Sequence, residues 1–132
     1  MQMICHSNMS RIERLRAEAT AMQEYLEVNI SGGDINELMD RIDTLGVYYA
    51  RSGAMHAEII GLIDSETAKI MRDNLELITS LKPAIAQKYI KGAAAELNAL
   101  ERWLDRINAA CSKQCDNLRT LISYEKQRAQ IL

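Results

Sequence analysis

Apolar residues recur every three or four positions along most of this chain, a spacing that predicts helices packed against one another. The longest row occupies the last third of the sequence. Its members are Ala93, Leu97, Leu100, Leu104, Ile107, Cys111, Gln114, Leu118 and Leu121. Gln114 is the polar member of the row. Because this spacing keeps the side chains on one side of a helix, we expect the row to be buried against another helix.

Two earlier rows follow the same rule. The first contains Ile12, Leu15, Ala19, Met22 and Leu26. The second contains Leu38, Ile42, Leu45, Tyr49, Ser52, His56, Ile59 and Ile63. Ser10 with Glu13, and Asp34 with Glu37, have the spacing of residues that cap the start of a helix.

The boundaries between these rows predict four helices. Ser31, Gly32 and Gly33 end the first helix, and Pro83 is suited to the first turn of the last one. Asp64 and Ser65 either cap a third helix or lie within a continuous second one. Gly92 is the one interruption after Pro83. The helices are predicted at about 10–29, 34–63, 65–81 and 83–130.

These lengths predict an all-α fold, with residues 1–132 as a single helical domain. Residues 34–81 and 83–132 would each span about 70 Å as straight helices, so a long antiparallel, coiled-coil-like hairpin turning at 80–83 is the simplest arrangement. The first helix then packs where the hairpin begins and ends. The Pro83 end has two helices only, which predicts a homo-oligomeric bundle or a partner there. A compact bundle broken at 61–65 is the alternative.

The composition agrees with helices. Apolar residues make up 48% of the chain and aromatic residues 5%, with no Phe, whereas sheets favour aromatic and β-branched residues. No apolar run approaches the roughly 20 residues of a membrane span, and no secretory signal is recognisable. Three cysteines without a disulfide framework favour a reducing cytoplasm. We therefore expect a cytoplasmic protein with no membrane contact.

Charge is distributed unevenly along the chain. Residues 1–65 carry five Arg or Lys against ten Asp or Glu, and residues 66–132 carry eleven against eight, within a net charge of −2. Much of the basic charge alternates with acidic residues, as in 101–106, which is typical of a solvated helix face. A dense basic patch of the kind that binds nucleic acid is missing from this pattern.

No pattern in the sequence predicts catalysis. Cys111 and Cys115 are one helical turn apart, but a zinc site would need Cys5 and His6 from the far end of the chain, so we interpret the cysteines as structural. His56 is interpreted as a hydrogen-bonded core residue. We expect a protein that is not an enzyme and that uses no cofactor and no metal.

Aromatic and basic residues beside the rows are the candidates for partner or ligand binding. Tyr49 is expected on the packing side of the second helix and Tyr48 beside it, where its ring could stack on a base or a partner; packing against the first helix is the alternative for these aromatic residues. The tail holds the best basic and aromatic cluster, though it is sparse for single-stranded DNA. The candidates are Tyr48, Tyr89, Trp103, Arg119, Tyr124, Lys126 and Arg128.

Two tracts resemble small helical proteins of bacteriophage genomes. They are the closing stretch 117–126 (NLRTLISYEK) and the tract from Leu45 through Tyr48-Tyr49-Ala50 to Ala57. In those proteins an alanine-rich helix after a short break carries a basic, tyrosine-bearing tail. The resemblance covers roughly residues 45–132. It implies a phage accessory protein in the host cytoplasm and transfers no catalytic residue.

Two hypotheses of function remain beside the enzyme class. The first is an oligomeric protein that binds a host factor stoichiometrically, either a defence protein or a nucleotide signal. The second is an accessory of phage DNA recombination or replication that holds single-stranded DNA or an annealing protein. The acidic first half and the missing basic stripe favour the first hypothesis.

Overall fold

A computed structural model of the protein describes residues 6–28 and 34–131. This part of the chain is helical, without a strand. Its five helices are α1 (His6–Leu26), α2 (Ile35–Asp73), α3 (Leu75–Ser80), α4 (Pro83–Ala93) and α5 (Ala95–Ile131). The all-α prediction is confirmed.

Two predicted helix starts are confirmed and one is wrong. The Asp34 side chain accepts a hydrogen bond from the Asn36 N–H at 2.9 Å, which caps α2. Pro83 is the first residue of α4, and Lys82 before it is extended, as the proline ring requires. Ser10 caps nothing, because α1 already begins at His6. The predicted connection at 31–33 lies outside the described residues.

The breaks within the long helices differ from the prediction. Helix α2 continues through Asp64 and Ser65 and ends at Asp73. The backbone N–H and the side chain of Asn74 both donate to the Ile70 carbonyl there, at 3.1 and 3.0 Å. The predicted helix 83–130 is interrupted at Ala94, whose N–H is shared among the carbonyls of Ile90, Lys91 and Gly92. The glycine there weakens the helix.

Helix α2 packs antiparallel along α5, and α1 lies against both. Three hydrogen bonds fix the α2–α5 alignment: His56 with Glu101, Ser52 with Asn108, and Arg41 with Gln114. Arg11 pairs with Glu58 and Arg51 with Glu18, so α1 runs antiparallel to α2. Three helices therefore share one end of the molecule, and α2, α3 and α4 form the other.

The main core lies where the three helices meet. It confirms the predicted rows of α1 and α5, with small differences: Leu26, Gln114 and Leu121 are half-buried, and Ala94 is buried in place of Ala93. Cys115 and Ile122 are also buried. Its buried members on these two helices are Ile12, Leu15, Ala19, Met22, Leu97, Leu100, Leu104, Ile107, Cys111, Cys115, Leu118 and Ile122.

The predicted row of α2 is only partly correct. Leu38, Leu45, Ser52 and Ile59 are buried against α5, whereas Ile42, His56 and Ile63 are half-buried. Tyr49 was expected to be buried, but 46% of it is exposed. The difference arises because α1 covers a second side of α2, so the buried set turns toward α1. The members added on that side are Arg41, Met55 and Leu62.

A smaller apolar cluster holds the other end together. Ile70 of α2, Ile78 of α3 and Ala86 of α4 are buried there, and Leu81 and Ile90 pack against them. Helix α1 does not reach this cluster. Several large apolar residues of this end are exposed: Ile60, Met71, Leu75, Leu77, Ile85 and Tyr89.

Candidate functional site

Two of the aromatic candidates are engaged inside the molecule. The Tyr48 ring packs edge-to-face on Tyr25 of α1, with 5.3 Å between ring centroids and 86° between planes. The Trp103 indole N–H donates to the Gln23 side chain of α1 at 3.0 Å. Both rings border the main core. The alternative of packing against the first helix is therefore correct for these two residues.

The remaining candidates lie on the surface without forming one site. Tyr89 is on α4, on the far side of the Ala94 break from the others. Arg119 and Lys126 lie on one side of α5, while Tyr124 is about 160° around the helix from Lys126. Arg128 shares the side of Tyr124. Arg119 also pairs with Asp116 at 3.1 Å. The tail therefore does not place its tyrosine between its cations.

The C-terminal end of α1 is held by two polar side chains that the structure brings together. Arg41 of α2 is 91% buried, and its Nη2 donates to the Tyr25 carbonyl at 3.1 Å, the Val28 carbonyl at 3.3 Å and Gln114 Oε1 at 3.2 Å. Gln114 of α5 in turn donates from Nε2 to the Leu26 carbonyl at 3.0 Å. The Leu26 carbonyl is one of those that a helix end leaves without an intrahelical partner, whereas the Tyr25 carbonyl also accepts from the Val28 N–H.

Most of the Arg41 guanidinium is accommodated by this arrangement, although its Nε is buried without a hydrogen-bond partner among the described residues. The guanidinium carbon lies 4.3 Å from the centroid of the Tyr25 ring, a cation–π geometry, and a cation beside the last turn of a helix is favourable. A pocket of about 490 Å³ opens beside it, lined by Leu26, Glu27, Asn117 and Leu121 among others. Because the donated bonds hold carbonyls of the chain itself, we interpret Arg41 and Gln114 as a structural lock on α1.

Sequence reasoning did not find this lock. The polar Gln114 in an apolar row was its one visible signal, since a buried amide needs partners. Arg41 gave no signal, because the side of α2 that α1 covers is not readable from the α2 sequence alone.

Cys111, Cys115 and His56 contact other residues of the chain. Cys111 and Cys115 are free and buried. Burial raises the pKa of the Cys111 thiol, and the neighbouring Cys115 raises it further, which disfavours the reactive thiolate. His56 lies 2.7 Å from Glu101, with both side chains about a quarter exposed. No group of three metal-ligating residues occurs within 6–28 and 34–131; Cys5 lies outside these ranges.

An exposed, largely apolar surface runs along α2 on the side that α1 leaves uncovered. We call it the open stripe. Gly53 is at its centre. This residue lies about 160° around the helix from Arg51, which pairs with α1, so the stripe faces away from α1. The stripe steps by three and four and has no Asp, Glu, Lys or Arg. Its residues are Met39, Ile42, Gly46, Tyr49, Gly53, His56, Ile60, Ile63 and Thr67.

The open stripe faces solvent over much of its length. The exposed fractions are 48% for Met39, 46% for Tyr49 and 41% for Ile60, and Gly46 and Gly53 are exposed as well. An exposed apolar row of this length is the usual mark of an interaction surface.

Shallow grooves lie between the open stripe and the neighbouring helices. One groove has a volume of about 450 Å³. Ile63 and Thr67 of the stripe line one wall of it, and Ile90 of α4 with Ala94, which follows α4, line the other. Another of about 210 Å³ lies between Gly46 and Tyr49 and the side chains of Ser112, Cys115 and Arg119. The stripe is therefore bordered by hollows that another helix can fill.

No family model matches the chain, and neither a curated protein nor a solved structure matches it. Across the described residues, no helix has the length and apolarity that crossing a membrane requires.

Proposed function

We propose that this chain is a non-catalytic, oligomeric helical binding protein of the phage accessory type. It acts by occupying a host factor, either a defence protein or a nucleotide signal, in fixed stoichiometry. The observation that carries the proposal is the open stripe, an exposed apolar face that is suited to packing a helix and offers no reactive group. In this proposal the α2–α5 pair is a coiled-coil-like hairpin completed by a partner.

The surface supports protein binding better than DNA binding. Single-stranded DNA needs aromatic platforms within a positive groove, whereas Tyr124 lies on the opposite side of α5 from Arg119 and Lys126. The acidic residues of α1 and of the start of α2, such as Glu24 and Glu37, also repel the negatively charged DNA backbone. A role in phage recombination remains the alternative, with Arg119, Lys126 and Arg128 as phosphate contacts.

Affinity capture tests this function. Tagged protein is incubated with bacterial lysate at about 150 mM salt, a level at which weak charge contacts are screened, and retained proteins are then titrated with the purified chain. In parallel, cyclic and linear nucleotides are screened for a shift in melting temperature. We expect one host protein or nucleotide to bind at a fixed ratio without being chemically changed. Turnover of the bound molecule, or the absence of any saturable ligand in both assays, would contradict the proposal.

A further inference from the structure

We propose that the open stripe is the surface on which a second copy of this chain docks, with the two α2 helices antiparallel. The inference rests on the proposed function, in which the chain acts as an oligomer, and it names the surface and the register of that oligomer.

The lack of charge restricts the occupant to an apolar helix. The row of α2 that borders α1 makes the contrast: Glu37, Asp40, Thr44, Val47, Arg51, Ala54 and Glu58 include four charged residues, two of which pair with α1. The open stripe has none, so a partner that covers it strands no Asp, Glu, Lys or Arg of the stripe away from water, which would be costly. From Met39 to Thr67 the stripe is about 42 Å long, so the occupant is itself a long helix with an uncharged row. Helix α2 of a second copy fits that description.

The stripe is also complementary to itself. When two copies run antiparallel, Tyr49 of each lies over Gly53 of the other and His56 lies over Gly46. The same register sets Ile42 of one copy against Ile60 of the other. Large side chains then meet glycines and apolar side chains meet apolar ones. Two-fold symmetry forms each of these contacts twice.

The glycines provide room that the chain itself does not fill. A Cβ added at Gly46 meets no atom within 4 Å, and one added at Gly53 meets Asn108 Nδ2 at 3.6 Å. Small residues at these two positions let the backbone of another helix approach closely, as ridges and grooves of packed helices require. The hollow beside Gly46 and Tyr49 adds space for the second copy.

The experiment is sedimentation of the full chain between about 1 and 100 µM, a range that resolves micromolar dissociation constants. We expect wild type to dimerise and Gly46→Glu to weaken the dimer at least about 100-fold, because each copy would bury a carboxylate over the other copy's His56, which already pairs with Glu101. Gly61→Glu is the matched control: Gly61 is an exposed glycine of the same helix with the same open space, but it lies outside the stripe. It should dimerise like wild type, and circular dichroism should show both variants folded.

The register is tested by oxidation of the double variant Tyr49→Cys/Gly53→Cys. Antiparallel pairing brings the two new thiols of different copies within disulfide distance, so we expect a covalent dimer. Gly61→Cys alone should give none.

Failure of the dimer experiments and failure of the capture assay lead to different conclusions. A wild-type monomer at 100 µM, equal dissociation constants for wild type and Gly46→Glu, or no cross-link in the double variant would overturn the pairing. A wild-type monomer would also remove the oligomer from the proposed function, whereas the other two results would leave that function intact and reject only this surface and register. Failure of the capture assay, conversely, would overturn the proposed function while leaving the sedimentation result intact.

Discussion

At the scale of single residues, the lock at the end of α1 makes the sharpest prediction. Arg41→Met removes the donor from the carbonyls of Tyr25 and Val28. Since a hydrogen bond from a charged group contributes about 1.5–3 kcal/mol and these bonds are only partly buried, we expect a loss of unfolding free energy of about 1–2 kcal/mol in urea denaturation.

Two further variants distinguish the effect of the positive charge of Arg41 from that of its hydrogen-bond geometry. Arg41→Lys should recover little of the loss, because an ammonium cannot reproduce the planar fork of the guanidinium. Arg106→Met, at an exposed arginine of α5, should change stability by less than about 0.5 kcal/mol. If Arg41→Met were as stable as Arg106→Met, the lock would contribute nothing.

The ion pair between α1 and α2 predicts a dependence on acid. The hydrogen bond from Arg51 holds the pKa of Glu18 below its ordinary value, and charge attraction acts in the same direction. A carboxyl whose pKa is lower in the folded state stabilises the fold above its unfolded pKa of about 4.3 and loses that contribution as pH falls. Glu18→Gln should therefore be less stable than wild type near pH 7, by about 0.2–1 kcal/mol for this solvent-screened pair.

Thermal melts across pH check this contribution. The curves of wild type and Glu18→Gln should converge as the pH drops below about 4. Glu13→Gln, at an exposed position of the same helix, is the control and should follow wild type throughout. A constant difference between Glu18→Gln and wild type at every pH would show that packing, not charge, accounts for it.

At the scale of elements, the row of α5 can be tested directly. Leu104 is fully buried in the main core, so Leu104→Ala should cost about 2–5 kcal/mol in unfolding free energy. Leu104→Asp should prevent folding. Ala109→Asp places the same charge on an exposed position of α5 and should leave the melting temperature nearly unchanged. An unaltered melting temperature for Leu104→Asp would mean that this side of α5 is not buried.

The elements also show what the sequence can and cannot predict. Helices α1 and α5 each bury one side, so their three-and-four spacing identified Leu15, Leu104 and their neighbours correctly. Helix α2 is covered on two sides, by α1 and by α5, and a single row of apolar positions describes only one buried side. The prediction therefore placed Tyr49 on the buried side and did not include Met55. The break at Asn74 is a local change of backbone between α2 and α3, which the chain's apolar pattern does not encode.

At the scale of the whole molecule, α1 and α5 cover two sides of α2 and leave a third side exposed. Helix α1 and its ion pairs cover one flank near Arg51, while the opposite flank keeps Met39, Tyr49 and Ile60 in solvent. The apolar pattern of α2 therefore serves the core on one flank and, in the proposed dimer, a second copy on the other. Sequence reasoning found the excess of apolar positions and expected a partner at the Pro83 end, but it assigned Tyr49 of the exposed flank to the interior.

The distribution of charge over the molecule predicts its affinity for DNA, and that affinity distinguishes the two functions. Acidic residues dominate the first half, and the cations Arg119 and Lys126 are not interleaved with Tyr124. We therefore expect weak or no binding of a fluorescent single-stranded oligonucleotide at about 150 mM salt, because few counterions would be released. Anisotropy measured over a salt series checks this, with Arg119→Ala/Arg128→Ala as the test variant and Arg14→Ala/Arg16→Ala, exposed on α1, as the control. Tight binding that the tail variant alone abolishes would reverse the choice in favour of recombination.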